Sequence, residues 1–217
     1  MSCSICETRK PRRFCPGVRG EICAPCCGAE REVSVSCPFE CEYLQEARRH
    51  ERLPDLKEED IPNRDIEVTD AFLSENDNVV QLSSNLLLEA ALAVPGAVDA
   101  DVREAIESLI RTIRTLESGL YYESRPNNPL AGAVQQGFQA KMTQARQELA
   151  RQAGVTFIRD LTILGALAFL QRVALHYDNG RSRGRSFLQF LHNSFPAPAP
   201  SGDAPPQSPS GTSLILP

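Results

Sequence analysis

The chain has 217 residues, 41% hydrophobic and 24% charged, with a formal net charge of -5 and a pI near 5.3. That is enough apolar content for one ordinary core plus a small satellite, and the acidic balance argues against a protein built around a polyanion. No run approaches the roughly 20 apolar residues of a membrane span. The longest apolar run, LTILGALAFL at 161–170, is flanked by Arg159, Asp160 and Arg172 and reads as a buried helix. MSCSICETRK at the start holds no apolar signal region, so the expected location is cytoplasmic, where thiols stay reduced.

In chain order, the first element is a cysteine-rich module over 1–43. It holds all 8 cysteines, between Cys3 and Cys41, in the pattern C-x2-C-x8-C-x7-C-x2-C-C-x9-C-x3-C. A C-x2-C turn lets two sulfurs reach one ion at about 2.3 Å, and eight sulfurs complete two tetrahedral sites with none left over. Cys26 and Cys27 are adjacent. On a helix, position 23 faces both, but neighbours diverge by roughly 100°, so the pair suits two different ions. The assignment is Cys3, Cys6, Cys23 and Cys26 for the first zinc, and Cys15, Cys27, Cys37 and Cys41 for the second. Exchanging Cys26 with Cys27 is geometrically almost equivalent and stays open. So do one zinc with spare thiols, an iron–sulfur cluster, and a disulfide or redox pair.

The knuckle CSIC, the middle RRFCPGVRGEICAPCC and the closing CPFEC resemble a cross-braced treble-clef zinc finger of the HIT or MYND type, over about the first 43 residues. The resemblance implies that Cys3 and Cys6 form the first knuckle and that Cys23 and Cys26 bind at a helix start. It also implies a role in protein contacts. This module has no histidine, although those families commonly use one as a ligand.

A short helix and acidic linker follow over 44–68, with PDLKEEDIPNRDIEV as linker or surface strap. From 69 to 195 the periodicity is helical. Thr69 caps a first helix that carries Phe72, Val79, Val80, Leu82, Leu86, Leu87 and Leu92 and is stopped by Pro95 and Gly96. Asp99 or Asp101 caps a second, with Val102, Ile106, Leu109, Ile113, Leu116 and Leu120 on one face. Asn128 with Pro129 opens a third, which carries Leu130, Val134, Phe138, Met142, Ala145 and Leu149 and ends near Gly154. A fourth runs from about 156 to 177. DNGRSRG at 178–184 is turn chemistry, and SFLQFLHNSF is a short terminal helix. The Pro/Ser-rich stretch 196–217 reads as a disordered tail, with SLILP as a small apolar patch. The expected fold is mainly α: a two-zinc module, an antiparallel helical bundle and that tail.

The expected function is a zinc-binding interaction or scaffold protein with a protein partner, because four sulfurs leave no open coordination position for substrate. The alternative is a nucleic-acid-binding regulator using Arg9, Lys10, Arg12, Arg13 and Arg19, with Arg181, Arg183 and Arg185. Residues 1–50 hold eight Lys/Arg against seven Asp/Glu, and eight thiolates with two zinc dications leave the loaded module at -3. The basic loop therefore reads first as an offset to thiolate charge. Glu46 and His50 read as an exposed helical pair, and His176 and His192 as structural. No nucleophile–base pair or phosphate-cradling glycine loop appears, so an enzyme ranks third.

Overall fold

Sulfur rather than hydrocarbon organises the N-terminal segment. A turn at Cys3–Cys6 is tied to an antiparallel hairpin, β1 (Arg13–Cys15) and β2 (Gly20–Ile22), where the Ser4 amide donates to the Glu21 carbonyl at 2.9 Å. Helix α1 (Ala24–Glu30) follows β2 and carries Pro25 in its first turn, where a missing N–H forfeits no helical bond. Helix α2 (Glu42–Arg49) leaves the module with Glu42 in its first turn and Arg48 and Arg49 in its last, both ends matching the helix dipole. The computed structural model describes residues 2–119, 122–153 and 158–195.

The acidic stretch after α2 has one 3-10 turn, Glu58–Asp60, and is a strap laid on the bundle. Asn63 donates to Gln171 at 2.8 Å, Arg172 to the Ile66 carbonyl at 2.8 Å, and Arg114 pairs with Asp65 at 2.6 Å.

The sequence predicts one helix from Thr69 to Leu92, and the structure divides it. Thr69 does cap α3 (Asp70–Glu75), its hydroxyl accepting the Phe72 amide at 3.1 Å. The chain then breaks at Asn76 before α4 (Asp77–Leu92). Asn76 sends both its amide N–H and its side-chain Nδ2 to the Phe72 carbonyl, at 3.0 and 2.9 Å. A side chain that bonds its own backbone in this way ends a helix locally.

Helix α5 (Asp99–Glu117) is capped from inside, Asp101 accepting the Val98 amide at 2.8 Å in capping-box fashion. Asp99 serves another element. Its carboxylate accepts the Phe187 and Leu188 amides at 2.9 and 3.0 Å, capping α8 (Ser186–Ser194). Helix α6 (Pro129–Ala153) opens as expected, with Asn128 Oδ1 accepting the Leu130 amide at 2.9 Å. Helix α7 (Asp160–His176) carries the most apolar run.

Helices α4 and α5 each pack on both α6 and α7, so the four close a ring, with α8 set against α4 and α5. The shared core includes Leu87, Val102, Ile106, Ile110, Val134, Phe138, Leu167, Leu170 and Phe187. The expected faces hold for Val102, Ile106, Leu109 and Ile113 and for Val134, Phe138 and Met142, whereas Leu116 and Leu130 are exposed. The expected end of α6 at Gly154, Leu120, Tyr121 and the tail 196–217 lie outside the described residues.

Asp99→Ala removes the acceptor of two buried amides, so urea unfolding is expected to show a loss of about 1–3 kcal/mol, with Asp99→Asn retaining part. Burial pushes the Asp99 carboxyl up to about 6, against the opposing pull of the Phe187 and Leu188 amides. The folded state therefore takes up this proton before the unfolded one, whose value is 3.8. Its contribution is fully present below the unfolded value and lost as pH rises through the folded one. The stability of the wild type relative to Asp99→Asn should fall across that window. A pH-independent difference contradicts the assignment.

Candidate metal centre

Cys3 and Cys6 sit on the N-terminal turn, Cys23 occupies the cap position of α1, and Cys26 lies within its first turn. The four sulfurs lie within 4.8 Å of one another, and the Cys6 and Cys23 sulfurs are 4.0 Å apart. A tetrahedron with zinc–sulfur bonds of about 2.3 Å has edges of about 3.8 Å. The donor set therefore fits an ion of that size. Cys3, Cys23 and Cys26 are buried and Cys6 is half-buried. The Cys23 amide donates to Cys3 Sγ at 3.3 Å, an N–H···S contact that favours thiolate over thiol.

These sulfurs differ in how readily they ionise. Burial opposes the Cys3 thiolate, but the amides of Cys6, Cys23 and Ile5 outweigh it and lower the pKa. The Thr8 side chain and amide pull Cys6 down to about 5. Cys26, hydrogen-bonded beside Cys23 and buried, is pushed up to about 12. The cage thus favours the Cys3 and Cys6 thiolates and opposes that of Cys26, and a dication at its centre would offset that opposition.

Cys27, one position further along α1, faces elsewhere. It accepts Arg13 Nη1 and Arg31 Nη2, each at 3.7 Å. Cys15, Cys27, Cys37 and Cys41 line one small apolar void of about 20 Å³ together with Cys26 of the first cluster, Ile22, Val35 and Tyr43. Burial pushes the Cys37 thiol up against the opposing pull of the Glu32 backbone, and the nearby Glu32, Cys41 and Cys15 charges add to the rise. Among the described residues, the first four cysteines are the group whose sulfurs all come within 4.8 Å. The second four converge on a common void without that closeness. The structure brings Cys26, not Cys27, to the first cluster.

The basic loop divides by role. The Arg9 guanidinium lies against Cys23, which holds its pKa above the ordinary value. Arg13 donates to Cys27 and sits 4.0 Å over the Tyr43 ring. Lys10, Arg12 and Arg19 are exposed. The second basic group is not a free turn. Arg181 donates to the Arg31 carbonyl, Arg183 to Ser36 at 2.8 Å, and Arg185 stacks 4.2 Å over Phe39. Glu46 and His50 form the expected exposed pair at 3.2 Å. His176 and His192 are exposed, although His192 lies near the Phe39 ring, their centroids 5.6 Å apart. A cleft of about 580 Å³ opens between α2 and α8, lined by Arg48, Arg49, Leu53, Tyr177 and Phe190 among others. Its lining includes Glu51 and Ser186 but neither histidine nor cysteine, and the Ser186 hydroxyl accepts from Asn179 Nδ2 at 2.9 Å.

Sequence reasoning missed Glu32. It is 1% exposed, and its carboxylate meets Arg48 at 2.5 Å, Asn179 at 3.0 Å and the Arg185 amide at 3.0 Å. Its place in the acid-rich GAERE reads as helix-terminal charge, and two of its three partners lie about 150 residues away in sequence. No local signal could have found it. Comparison with models of known protein families, with curated proteins and with solved structures finds no match. Among the described residues no helix is long and apolar enough to cross a membrane.

Proposed function

We propose that the chain is a cytoplasmic zinc-binding interaction or scaffold protein whose N-terminal module is a treble-clef finger holding two zinc ions. The observation that carries this reading is the Cys3, Cys6, Cys23 and Cys26 cluster, whose sulfurs lie within 4.8 Å of one another. Four sulfurs around one ion leave no position for substrate or an activated water. The metal therefore serves as a fold-forming group, and contact with another protein is the use that such a closed site leaves. The order knuckle, hairpin, helix supports the treble-clef assignment. Convergence of Cys15, Cys27, Cys37 and Cys41 on one void supports the second ion, and Arg13 and Arg31 beside Cys27 supply charge that stabilises its thiolate.

Affinity capture with the full zinc-loaded chain tests the interaction reading. A partner should be retained by wild type and lost with Cys6→Ser. Capture that is indifferent to the metal removes the module from the function. Binding to DNA or RNA that weakens steeply with salt supports the nucleic-acid alternative instead. That alternative also needs Arg181, Arg183 and Arg185 released from the contacts described above.

The adjacent cysteines give a second expectation. Cys26→Ser and Cys27→Ser should each lower the metal content toward one ion per chain, and each should leave a different set of thiols open to alkylation. Identical labelling maps count against the division of the pair between two ions.

A further inference from the structure

The loop between the two halves of the second cysteine set reaches into the helical bundle. Glu32 lies five residues after Cys27 and five before Cys37 and holds a left-handed backbone with φ 54°, a conformation that a residue other than glycine adopts only when its surroundings fix it. Its amide donates to the Val35 carbonyl at 3.1 Å and its carbonyl accepts the Arg183 amide at 2.8 Å. Ser182 donates to the Val33 carbonyl at 2.8 Å. Phe39, between Cys37 and Cys41, is buried in the bundle's own core, and its carbonyl accepts from Gln45 at 3.0 Å and from Gln189 of α8 at 3.4 Å. Arg48 bridges the two sides, pairing with Glu32 and with Gln189.

We infer that metal held by Cys15, Cys27, Cys37 and Cys41 is a clamp that orders the distant turn 178–185 and helix α8, acting through Glu32 and Phe39. The inference rests on the metal reading of that second set. In the loop 31–36, Val33, Ser34 and Ser36 are exposed, Val35 alone packs an apolar side chain on the module's cluster, and the Glu30 carbonyl accepts the Val33, Ser34 and Val35 amides. Its other anchors are the cysteines at either side. With those anchors released, the loop regains its conformational freedom and cannot keep a buried carboxylate in place. Arg48, Asn179 and the Arg185 amide then lose their acceptor together, and an unpaired buried charge disfavours the closed arrangement. The start of α8 keeps Asp99 at the Phe187 and Leu188 amides and Asn179 at the Ser186 hydroxyl. The coupling runs both ways: whatever orders α8 also tightens metal at this set. Glu32 and Phe39 are positioning residues and are not ligands.

Hydrogen exchange on the full zinc-loaded chain, paired with native mass spectrometry, tests this. Glu32→Gln and Phe39→Ala should retain two zinc ions yet exchange about tenfold or more faster across 178–194, a shift of about 1.4 kcal/mol in opening free energy. Amides in the middle of α5 and α7 should be unchanged. Cys37→Ser should lose one ion and speed the same segment, while Cys6→Ser should lose the other ion with a smaller effect there. If Cys37→Ser loses its ion and 178–194 exchanges as in wild type, the clamp is overturned and the two-zinc reading stands. If wild type carries one ion, and Cys37→Ser changes neither metal content nor exchange, both are overturned. Unchanged exchange in both Glu32→Gln and Phe39→Ala overturns the route through these residues.

Discussion

A strong chelator is expected to unfold residues 2–41 of the zinc-loaded chain while α4, α5, α6 and α7 keep their amide protection. The module's own buried cluster consists of Cys3, Cys15, Ile22, Cys23 and Cys26, in which a single side chain is not a cysteine. A segment of that size has too little apolar surface to stand alone and usually needs a metal or disulfides. Structural zinc in small fingers contributes about 10–16 kcal/mol of apparent binding energy, which becomes folding energy. The bundle is built differently. Its core runs through Leu87, Ile106, Ile110, Phe138, Leu167 and Leu170, and four amphipathic helices that bury one another need no ion. Exchange after chelation should therefore show protection lost over the module and loosened at 178–194, and retained between about 100 and 175. Parallel loss across the bundle would make the chain one cooperative unit and remove the boundary proposed at 54–68.

Leu167→Ala is expected to cost about 2–5 kcal/mol in denaturant unfolding, and Leu161→Ala, on the same helix, within about 0.5 kcal/mol of nothing. Leu167 is fully buried at the centre of α7, whereas Leu161 is 58% exposed. Both belong to the run LTILGALAFL, so hydropathy alone ranks them together. Helix α7 packs on α4 and α5, and Leu167 belongs to their shared core, whose close-packed side chains collapse only partly into the space a leucine leaves. Equal effects from the two substitutions would show that the helix is turned differently in the bundle.

What could be read from the sequence was local. The Thr69 cap and the Asn128–Pro129 start depend on partners two or three residues away, so residue type and spacing suffice. The placement of Cys26 apart from Cys27 follows from the angular step of a helix. Apolar periodicity located the cores of α5 and α6, but it extended each face too far, to Leu116 and Leu130, because it cannot say where a neighbouring helix ends. Asn76 was legible in principle, since asparagine competes for backbone carbonyls, but the apolar pattern on either side hid the break.

The remaining misses share one cause, which is distance along the chain. Asp99 looks like a cap for its own helix, and it caps α8, 88 residues later. The arginines at 181, 183 and 185 look like solvated turn chemistry, and their partners are carbonyls, a hydroxyl and a ring of the cysteine module. Glu32 joins both groups. Buried polar residues of this kind leave no periodic trace, because each depends on one partner rather than on a face.

The central claim is that the cysteines hold metal in closed four-sulfur sites, and the count of ions tests it most directly. Native mass spectrometry of the 217-residue chain expressed with zinc available should give the mass of the chain plus two zinc ions, and one ion fewer for Cys6→Ser and for Cys37→Ser. A metal-free monomer whose mass is reduced by four disulfides would contradict the account.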